Sequence, residues 1–192
     1  MRKMIFVSVA LFVAPCAVQA TTVTQQAASP KDTITVSVNS TEATHQFRLE
    51  FFVVNSVEVA GMPVPVSITA EGARMKYDSI SYEGGRVGYF QLKTQNPDTA
   101  NQTLLLGLIA DLSGSKPPLK PGRGVAFNVF YTADKAIDAS AVKVEPVMLA
   151  PANILEFNVL EEGGIGSVVP TFHMTAAKAT EEEAAPEKDS GG

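Results

Sequence analysis

Apolar residues recur at every second position over much of the chain between Asp32 and Phe172. The clearest alternation of apolar and polar residues covers 33–38, 46–53 and 125–131. Successive side chains of an extended strand point to opposite faces, so a period of two gives each strand one buried and one exposed face. The pattern therefore predicts half-buried β-strands and not helices.

Two further runs predict particular places in a sheet. The run 63–68 alternates, but Pro63 and Pro65 occupy its polar positions. Because proline has no amide hydrogen to donate to a ladder, this run is expected to be an edge strand. The run 104–109, with the sequence LLLGLI, is apolar in both phases and has the length of a strand. We expect a central strand that is covered on both sides.

The rest of the domain continues the same pattern. Five more apolar runs have strand length: 75–82, 87–93, 142–148, 154–160 and 168–172. Turn residues lie between the strands, at 83–85, 96–98, 113–124 and 162–164. Only 132–142 could hold a helical turn, centred on 134–139. Nine or ten short strands with frequent turns predict an all-β fold, an antiparallel β-sandwich.

The first twenty residues have the features of a signal peptide. Arg2 and Lys3 precede an apolar run of about eleven residues, and Val18 and Ala20 are small residues at a cleavage site. A helix needs about 20 apolar residues to cross a bilayer, so this run is too short to be a membrane anchor. We expect an exported protein, extracellular, at the cell surface or periplasmic, with no transmembrane segment in the mature chain.

The predicted domain organisation follows from these boundaries. Residues 1–20 form the signal peptide, 21–31 an N-terminal linker, 32–174 the sandwich and 175–192 an acidic tail. The tail contains no large apolar residue, so it cannot bury enough surface to offset the entropy of ordering, and we expect it to be disordered. The single cysteine lies in the leader, so the mature domain has to be stable without disulfides.

Charge and composition exclude several functional classes. The chain has 15 basic and 20 acidic residues, a formal net charge of −5. This balance argues against a nucleic-acid partner, which requires a cationic surface. The two histidines, His45 and His173, are far apart in sequence, and no G-x-S-x-G motif is present. We expect no catalytic residue, no metal and no cofactor, and a hydrolytic enzyme is the least favoured class.

The sequence leaves open whether one loop binds a calcium ion. Residues 96–101 offer oxygen ligands of the kind that calcium prefers, but the loop has few acids for a dedicated site. A turn is the better interpretation of this segment.

The candidate binding residues are Tyr82, Arg86, Tyr89 and Lys93. In a strand over 87–93, Tyr89 would share a face with Gln91 and Lys93. Tyrosine and arginine are common anchors of protein interfaces, so this segment is expected to form an exposed face that binds a protein partner. A carbohydrate-binding module is the rival interpretation, since tyrosine rings also stack on sugars.

Residues from about 32 to 174 resemble the cohesin-type domains of exported bacterial proteins. The likeness lies in the opening strand DTITVSV, the segment VAGMPVPVSI, the stretch NQTLLLGLIADLSGSKPPLKPG that leads into GRGVAFNVFYT, and the late strand SVVPTF. The resemblance implies a nine-stranded jelly-roll sandwich, related to one group of carbohydrate-binding modules. It also implies a non-catalytic module that binds a dockerin-like protein or another member of a surface assembly, or polysaccharide.

Overall fold

The structure is a computed structural model that describes residues 25–26, 31–41, 45–149 and 153–175. The signal peptide predicted for 1–20 lies outside these residues, as does the acidic tail beyond Thr175. The predictions for those two segments therefore stay predictions.

The described chain consists almost entirely of strands. In chain order they are β1 Gln25–Gln26, β2 Thr33–Ser40, β3 Gln46–Asn55, β4 Val59–Ala70, β5 Met75–Ser81, β6 Leu92–Asp98, β7 Thr103–Ile109, β8 Gly122–Ala133, β9 Val142–Pro146, β10 Phe157–Glu161, β11 Gly164–Val168 and β12 Thr171–Thr175. One turn of 3₁₀ helix, Ala139–Ala141, lies within the segment where a helical turn was predicted.

The strands form two sheets. The seven-stranded sheet has the order β1-β11-β10-β4-β7-β6, with β9 also paired to β4, and the five-stranded sheet has the order β12-β2-β3-β8-β5. All pairings are antiparallel except β1 with β11 and β12 with β2. The predicted all-β sandwich is confirmed. Among the described residues there are twelve strands instead of nine, partly because Val169 and Pro170 divide the last predicted run into β11 and β12.

The core lies between the two sheets and is filled by alternate side chains. In β2 and β3 every second residue is buried, and the matching rows of β4 and β7 face them. The Phe51 and Phe127 rings stack at the centre, with their centroids 4.6 Å apart. Burying one such large side chain contributes about 1.5–3 kcal/mol.

The prediction that 63–68 is an edge strand is wrong. β4 pairs with β7 on one side and with β10 and β9 on the other. The amide of Val147 donates to the carbonyl of Pro65 (3.1 Å), so this proline faces the β9 side. The β10 partners end at Gly61 and the β9 partners begin at Val66, and both prolines lie in the gap between them. Their missing donors therefore interrupt no ladder.

Two local predictions between β5 and β7 are also wrong. Residues 83–91 form turns and bends instead of a strand over 87–93, with the amides of Gly85 and Gly88 donating to the carbonyls of Tyr82 and Gly85. A Cβ atom at Gly85 would clash with the carbonyl of Ala126, so only glycine lets this turn pass against β8. The predicted turn 96–98 belongs to β6, where Pro97 is tolerated because β6 lies at the edge of its sheet.

Gln102 connects the two sheets at one end of the sandwich. Its backbone has a positive φ of 54°, and its carbonyl accepts a hydrogen bond from the amide of Ile68 in β4 (2.8 Å). Its side-chain amide accepts from the Met75 amide and donates to the Met75 carbonyl, both at 2.7 Å. The side chain of Gln102 therefore forms hydrogen bonds with both backbone groups of Met75, the first residue of β5 in the opposite sheet.

We predict that Gln102→Ala lowers the free energy of unfolding by about 1–3 kcal/mol, because it leaves two partly buried backbone groups of Met75 without partners. Chemical denaturation followed by circular dichroism measures the change. Gln46→Ala, at an exposed strand position, is the matched control and should change stability by less than about 0.5 kcal/mol. Equal losses in the two variants would show that the Gln102 amide does not hold the sheets together.

Candidate functional site

The two rows of side chains on β7 have different surroundings. Leu104, Leu106 and Leu108 are buried in the core, while Leu105 and Ile109 point outward and are only half-buried. The strand is internal, as predicted, because β4 and β6 flank it. Its outer row, however, stays accessible to solvent, so the prediction of a strand buried on both sides is wrong.

The neighbours of this outer row extend the same surface. Ile109 lies opposite Gly61 in β4 and Leu92 in β6. In the same way, Gly107 lies between Pro63 and Thr94, and Leu105 lies between Pro65 and Asn96. We define the apolar face as the residues on this side of β4, β6 and β7, of which Gly61 and Pro65 are buried: Gly61, Pro63, Pro65, Leu92, Thr94, Asn96, Leu105, Gly107 and Ile109.

Glycines keep the apolar face flat. A Cβ atom at Gly107 would lie 2.6 Å from the hydroxyl oxygen of Thr94, and one at Gly61 would lie 3.0 Å from the carbonyl oxygen of Leu108. The Thr94 hydroxyl donates instead to the carbonyl of Gly107 (3.3 Å). Neighbouring side chains fill the space above both glycines: Thr94 above Gly107, and Asn158 and Ile109 above the buried Gly61. The face therefore stays flat at these two positions.

Charged groups lie only around the rim of the apolar face. Among the described outward positions of β4, β6 and β7, Asp98 is the one charged residue, and β9 adds Lys143 and Glu145 beside it. Hydrogen bonds from the side chain and backbone of Asn101 and from the Ala100 amide hold the pKa of Asp98 below its usual range. Its oxygens are thus already bonded to their own loop.

The outer surface of the five-stranded sheet has a different character. Its outward positions carry hydroxyls and charges together with half-buried apolar residues: Thr33, Thr35, Ser37, Arg48, Glu50, Phe52, Val54, Lys76, Val125, Phe130, Thr132 and His173. Arg48 and Glu50 lie on β3, so this surface carries charges at its centre beside its apolar residues. The two outer faces therefore differ in the charge at their centres.

Large apolar side chains protrude at the ends of the apolar face. Leu112 is 67% exposed at one end, and Leu160 and Ile165, which are cross-strand partners in β10 and β11, are 57% and 71% exposed. The Leu112 amide donates to the side-chain oxygen of Gln91 (2.9 Å), which places Leu112 next to the first residue of β6.

A carboxylate fixes the loop that carries Leu112. The Asp111 side chain accepts hydrogen bonds from the amide of Ser113 (2.6 Å), the hydroxyl of Ser113 (2.8 Å) and the amide of Lys116. These bonds, led by the one from the Ser113 amide, hold the pKa of Asp111 far below its usual range. The carboxylate stays ionised at neutral pH, so Leu112 is presented on an ordered loop.

A polar cleft lies at the other end of the face. It has a volume of about 380 Å³ and lies between the outer surface of β6 and β7 on one side and Leu149 and Asn153 on the other. Its other lining residues are Asn96, Asp98, Asn101, Thr103 and Leu105. Three side-chain amides here can each donate and accept hydrogen bonds.

Arg86, one of the predicted binding residues, is a structural clamp. Its Nη1 donates to the carbonyl of Val53 (3.2 Å), the Asn55 side-chain oxygen (2.8 Å) and the carbonyl of Gly122 (3.1 Å). Its Nη2 donates to the carbonyl of Lys120 (2.7 Å). The guanidinium group therefore joins the end of β3 to the start of β8.

Lys93 and Tyr82 are occupied in a similar way. Lys93 Nζ donates to the carbonyls of Gly88 (2.7 Å) and Phe90 (2.8 Å) and lies 5.3 Å from the centroid of the Tyr82 ring. Tyr82 is half-buried, and its hydroxyl is buried without a hydrogen-bond partner among the described residues. Burial, and to a smaller extent the neighbouring Tyr77, raises the pKa of Tyr82 to about 12.

Of the four predicted residues, only Tyr89 is exposed, at 39%, while the other three are half-buried. It lines a groove of about 360 Å³ together with Arg86, Lys120 and the prolines of 117–121. The structure thus gathers the four residues around one turn. The prediction that Tyr89 shares a strand face with Gln91 and Lys93 is wrong, because 87–91 is not a strand.

The structure brings no set of chemically reactive groups together in the part of the chain that it describes. No cluster of three or more His, Cys, Asp and Glu side chains there could hold a metal ion. His45 and His173 are both exposed and lie on different strands or turns. No helix within the described ranges is long and apolar enough to cross a membrane.

Comparison with known proteins was informative only at the level of structure. No protein-family model matches the chain, and no curated protein sequence matches it. The seventh ScaB type I cohesin from Pseudobacteroides cellulosolvens has a similar structure, with a TM-score of 0.52 and 12% identity over 79% of this chain and 97% of the cohesin. The fold is that of a cohesin.

Two other cohesin structures agree with this assignment. A type II cohesin domain from the cellulosome of Acetivibrio cellulolyticus has a TM-score of 0.51 and 9% identity over 76% of this chain and 92% of its own. The cohesin–dockerin complex Coh-OlpA–Doc918 from Clostridium thermocellum has a TM-score of 0.50 and 7% identity over 76% of this chain and 99% of its own. The cohesin-type fold predicted from sequence is confirmed, and at these identities the likeness is one of fold.

The apolar face has a signal in the sequence that the predictions did not use. The run LLLGLI is apolar in both phases, and this was interpreted as cover on both sides of the strand. A second apolar row is equally expected on a strand whose outer face binds another molecule.

We predict that Arg86→Lys lowers the free energy of unfolding by about 1–3 kcal/mol, because an ammonium group cannot reproduce the forked bonds of the guanidinium to four acceptors. Urea denaturation of the purified domain measures the loss. Arg123→Lys, at an exposed position of β8, serves as the control with little expected change. Full stability of Arg86→Lys would contradict the clamp.

Proposed function

We propose that this protein is a non-catalytic binding module that docks a protein partner on its apolar face. The observation that supports this function is that the two outer surfaces of the sandwich differ in the charge at their centres. One is flat, apolar and free of charge at its centre, with polar groups at its rim. Depletion of charge at the core and polar groups at the rim are typical of protein interfaces.

The protruding leucine and isoleucine side chains have a separate role in this proposal. Leu112, Leu160 and Ile165 flank the face, and each is more than half exposed. Side chains of this kind stabilise a complex when they enter pockets of the partner and are removed from water there, at about 25 cal/mol per Å² of apolar surface. The flat centre then supplies area, and the flanking side chains supply anchors.

The chemistry of the face indicates the kind of partner. A flat, uncharged surface fits an element that presents apolar side chains on one face, such as an amphipathic helix. Among the structures that resemble this chain, Coh-OlpA–Doc918 is a cohesin–dockerin complex. This likeness supports a dockerin-like partner. The predicted signal peptide supports export, so that the two proteins would meet outside the cytoplasm.

The four residues predicted from sequence take part in this proposal in two ways. Tyr89 is proposed as a contact at the margin of the face, since Lys116 Nζ donates to its carbonyl (2.8 Å) and so connects it with the loop of Leu112. Tyr82, Arg86 and Lys93 are proposed as positioning residues, because their contacts hold the turn on which Tyr89 lies.

Polysaccharide binding is a second candidate, and the cleft of Asn96, Asn101 and Asn153 favours it. Amide side chains beside Leu105 could bond sugar hydroxyls and contact the apolar side of a sugar ring. A hydrolytic function has less support. Asp98 and Asp111, two acids near the face, are bonded to their own loops.

We predict that Ile109→Asp weakens partner binding by about 100-fold or more, because it buries a charge without a counter-ion at the centre of the interface. Biolayer interferometry against a panel of immobilised dockerin modules measures the affinity. The control is Thr35→Asp on the opposite outer face, which should bind as the parent does. Loss of binding in the control alone would place the docking surface on the other sheet.

A pull-down on insoluble cellulose and xylan tests the second candidate. If docking is the function, the protein stays in the supernatant. Retention that is lost in Asn96→Ala or Tyr89→Ala, together with no binding to any dockerin, would replace the protein-docking proposal by a carbohydrate-binding one. These variants leave the core residues intact, so thermal unfolding provides a check that they are folded.

A further inference from the structure

One stretch of the chain is basic although the chain as a whole is acidic. The formal net charge is −5, yet no acidic residue occurs between Asp111 and Asp134, and this stretch contains Lys116, Lys120 and Arg123. All three basic residues are exposed. Neither Lys120 nor Arg123 forms an ion pair or a side-chain hydrogen bond with any residue that the structure describes. These two charges are therefore available to a ligand.

The basic stretch forms one wall of the groove that Tyr89 lines. Lys120 and the prolines of 117–121 line the groove together with Arg86 and Tyr89, and none of these lining residues is acidic. Lys116 Nζ donates to the carbonyl of Tyr89 (2.8 Å). Because an ammonium group has three donors, Lys116 keeps two for another acceptor.

The charged neighbours of Tyr89 give the sign of the electrostatic field in the groove. Burial raises the pKa of Tyr89 most strongly, Arg86 lowers it, and Glu58 raises it by the smallest amount. A neighbour that lowers this pKa stabilises a negative charge on the tyrosine oxygen. Since Arg86 has a larger effect than Glu58, the two charges together favour an anion beside Tyr89.

The groove is pre-formed and adjoins the apolar face. Leu119 is buried, and its amide and carbonyl exchange hydrogen bonds with Val59 (2.8 and 3.0 Å). Val59 precedes Gly61, a residue of the apolar face, by two positions in β4. Proline fixes the backbone φ, so the loop that carries the three prolines loses little entropy when a ligand binds. A molecule on the apolar face can thus extend directly into the groove.

We propose that this groove binds an extended acidic segment of the protein partner that docks on the apolar face. The proposal rests on the proposed docking function and adds a second feature of the partner, a run of Asp or Glu residues next to its apolar element. Lys116, Lys120 and Arg123 pair with the carboxylates, and the Tyr89 ring contacts the aliphatic parts of the same side chains. Charges at the margin of an interface mainly accelerate association and select the partner.

Other occupants of the groove fit less well. A neutral sugar gains nothing from the cations. The chain's own acidic residues at 181–189 carry suitable charges, but they follow β12, which leads away from the groove. Thr171 at the start of β12 lies in the same row of the sheet as Arg123, and Thr175 lies four residues farther from it.

Titration with a synthetic peptide tests the groove without any partner protein. The probe is a short peptide in which Glu alternates with Ser, and its control has Gln in place of every Glu. In the isotopically labelled full chain at low ionic strength, the Glu peptide should shift the amide signals of 86–91 and 116–124, and salt should weaken the effect. No shift there, equal shifts with both peptides, or equal shifts around Arg48 and Lys76 would overturn the proposal.

Two further arms of the titration test the other occupants. In the full chain with Glu181→Gln, Glu182→Gln and Glu183→Gln, the Glu peptide should bind with unchanged affinity. A gain of about tenfold or more would assign the groove to the chain's own acidic segment and overturn the proposal. Shifts with polygalacturonate and none with the Glu peptide would assign it to an acidic polysaccharide instead.

Association kinetics with the dockerin panel separate this proposal from the docking function. Lys120→Glu should lower the association rate constant about tenfold at low ionic strength and change the dissociation rate constant less than about twofold. Lys135→Glu is the matched control, because it makes the same change of charge at an exposed site beyond the other end of β8. If Ile109→Asp abolishes binding while Lys120→Glu associates as fast as Lys135→Glu, docking on the apolar face stands and the groove proposal is wrong.

Discussion

Burial of one row of side chains from each strand between the two sheets is the interaction on which the rest of this structure depends. A strand has two faces, and the sandwich encloses only one of them. In most strands the other face carries threonine, serine or charged residues, which remain hydrated. In β7 the second row is Leu105, Gly107 and Ile109, and the same constraint that fills the core leaves these residues at the surface. The proposed docking function follows from this division.

At the two ends of the sandwich, hydrogen bonds of polar side chains fix strand ends and turns that apolar burial alone does not position. Arg86 satisfies acceptors where β3 ends and β8 begins, and Gln102 satisfies the first residue of β5. Both side chains bond to backbone groups at or near the ends of strands. Each lies in or beside a turn, so the same contacts that connect the sheets also order the turns. At the Arg86 end, this order extends to Tyr89 and to the loop of Leu112.

The period-two pattern predicted most strands and the sandwich because burial of alternate residues depends on local sequence alone. It failed at 87–93, where the bonds of Gly85 and Gly88 to nearby carbonyls form turns in place of a strand. It also failed at Pro63 and Pro65, because the gap between β9 and β10 is set by the whole sheet. Of the candidate site, sequence predicted a strand face at Tyr82, Arg86, Tyr89 and Lys93, whereas the structure gathers these residues around a turn in which Arg86 bonds to β3 and β8. A side chain's hydrogen-bond partners on distant strands cannot be known from spacing.

An alanine scan of β7, residue by residue, tests the central claim most directly. The account predicts that stability alternates along the strand: Leu104→Ala, Leu106→Ala and Leu108→Ala each lower the free energy of unfolding by about 2–5 kcal/mol. Leu105→Ala and Ile109→Ala should each cost less than about 1 kcal/mol, since their side chains are half-exposed. Losses of equal size in both rows would mean that the outer face is already covered, and would contradict its role as a docking surface.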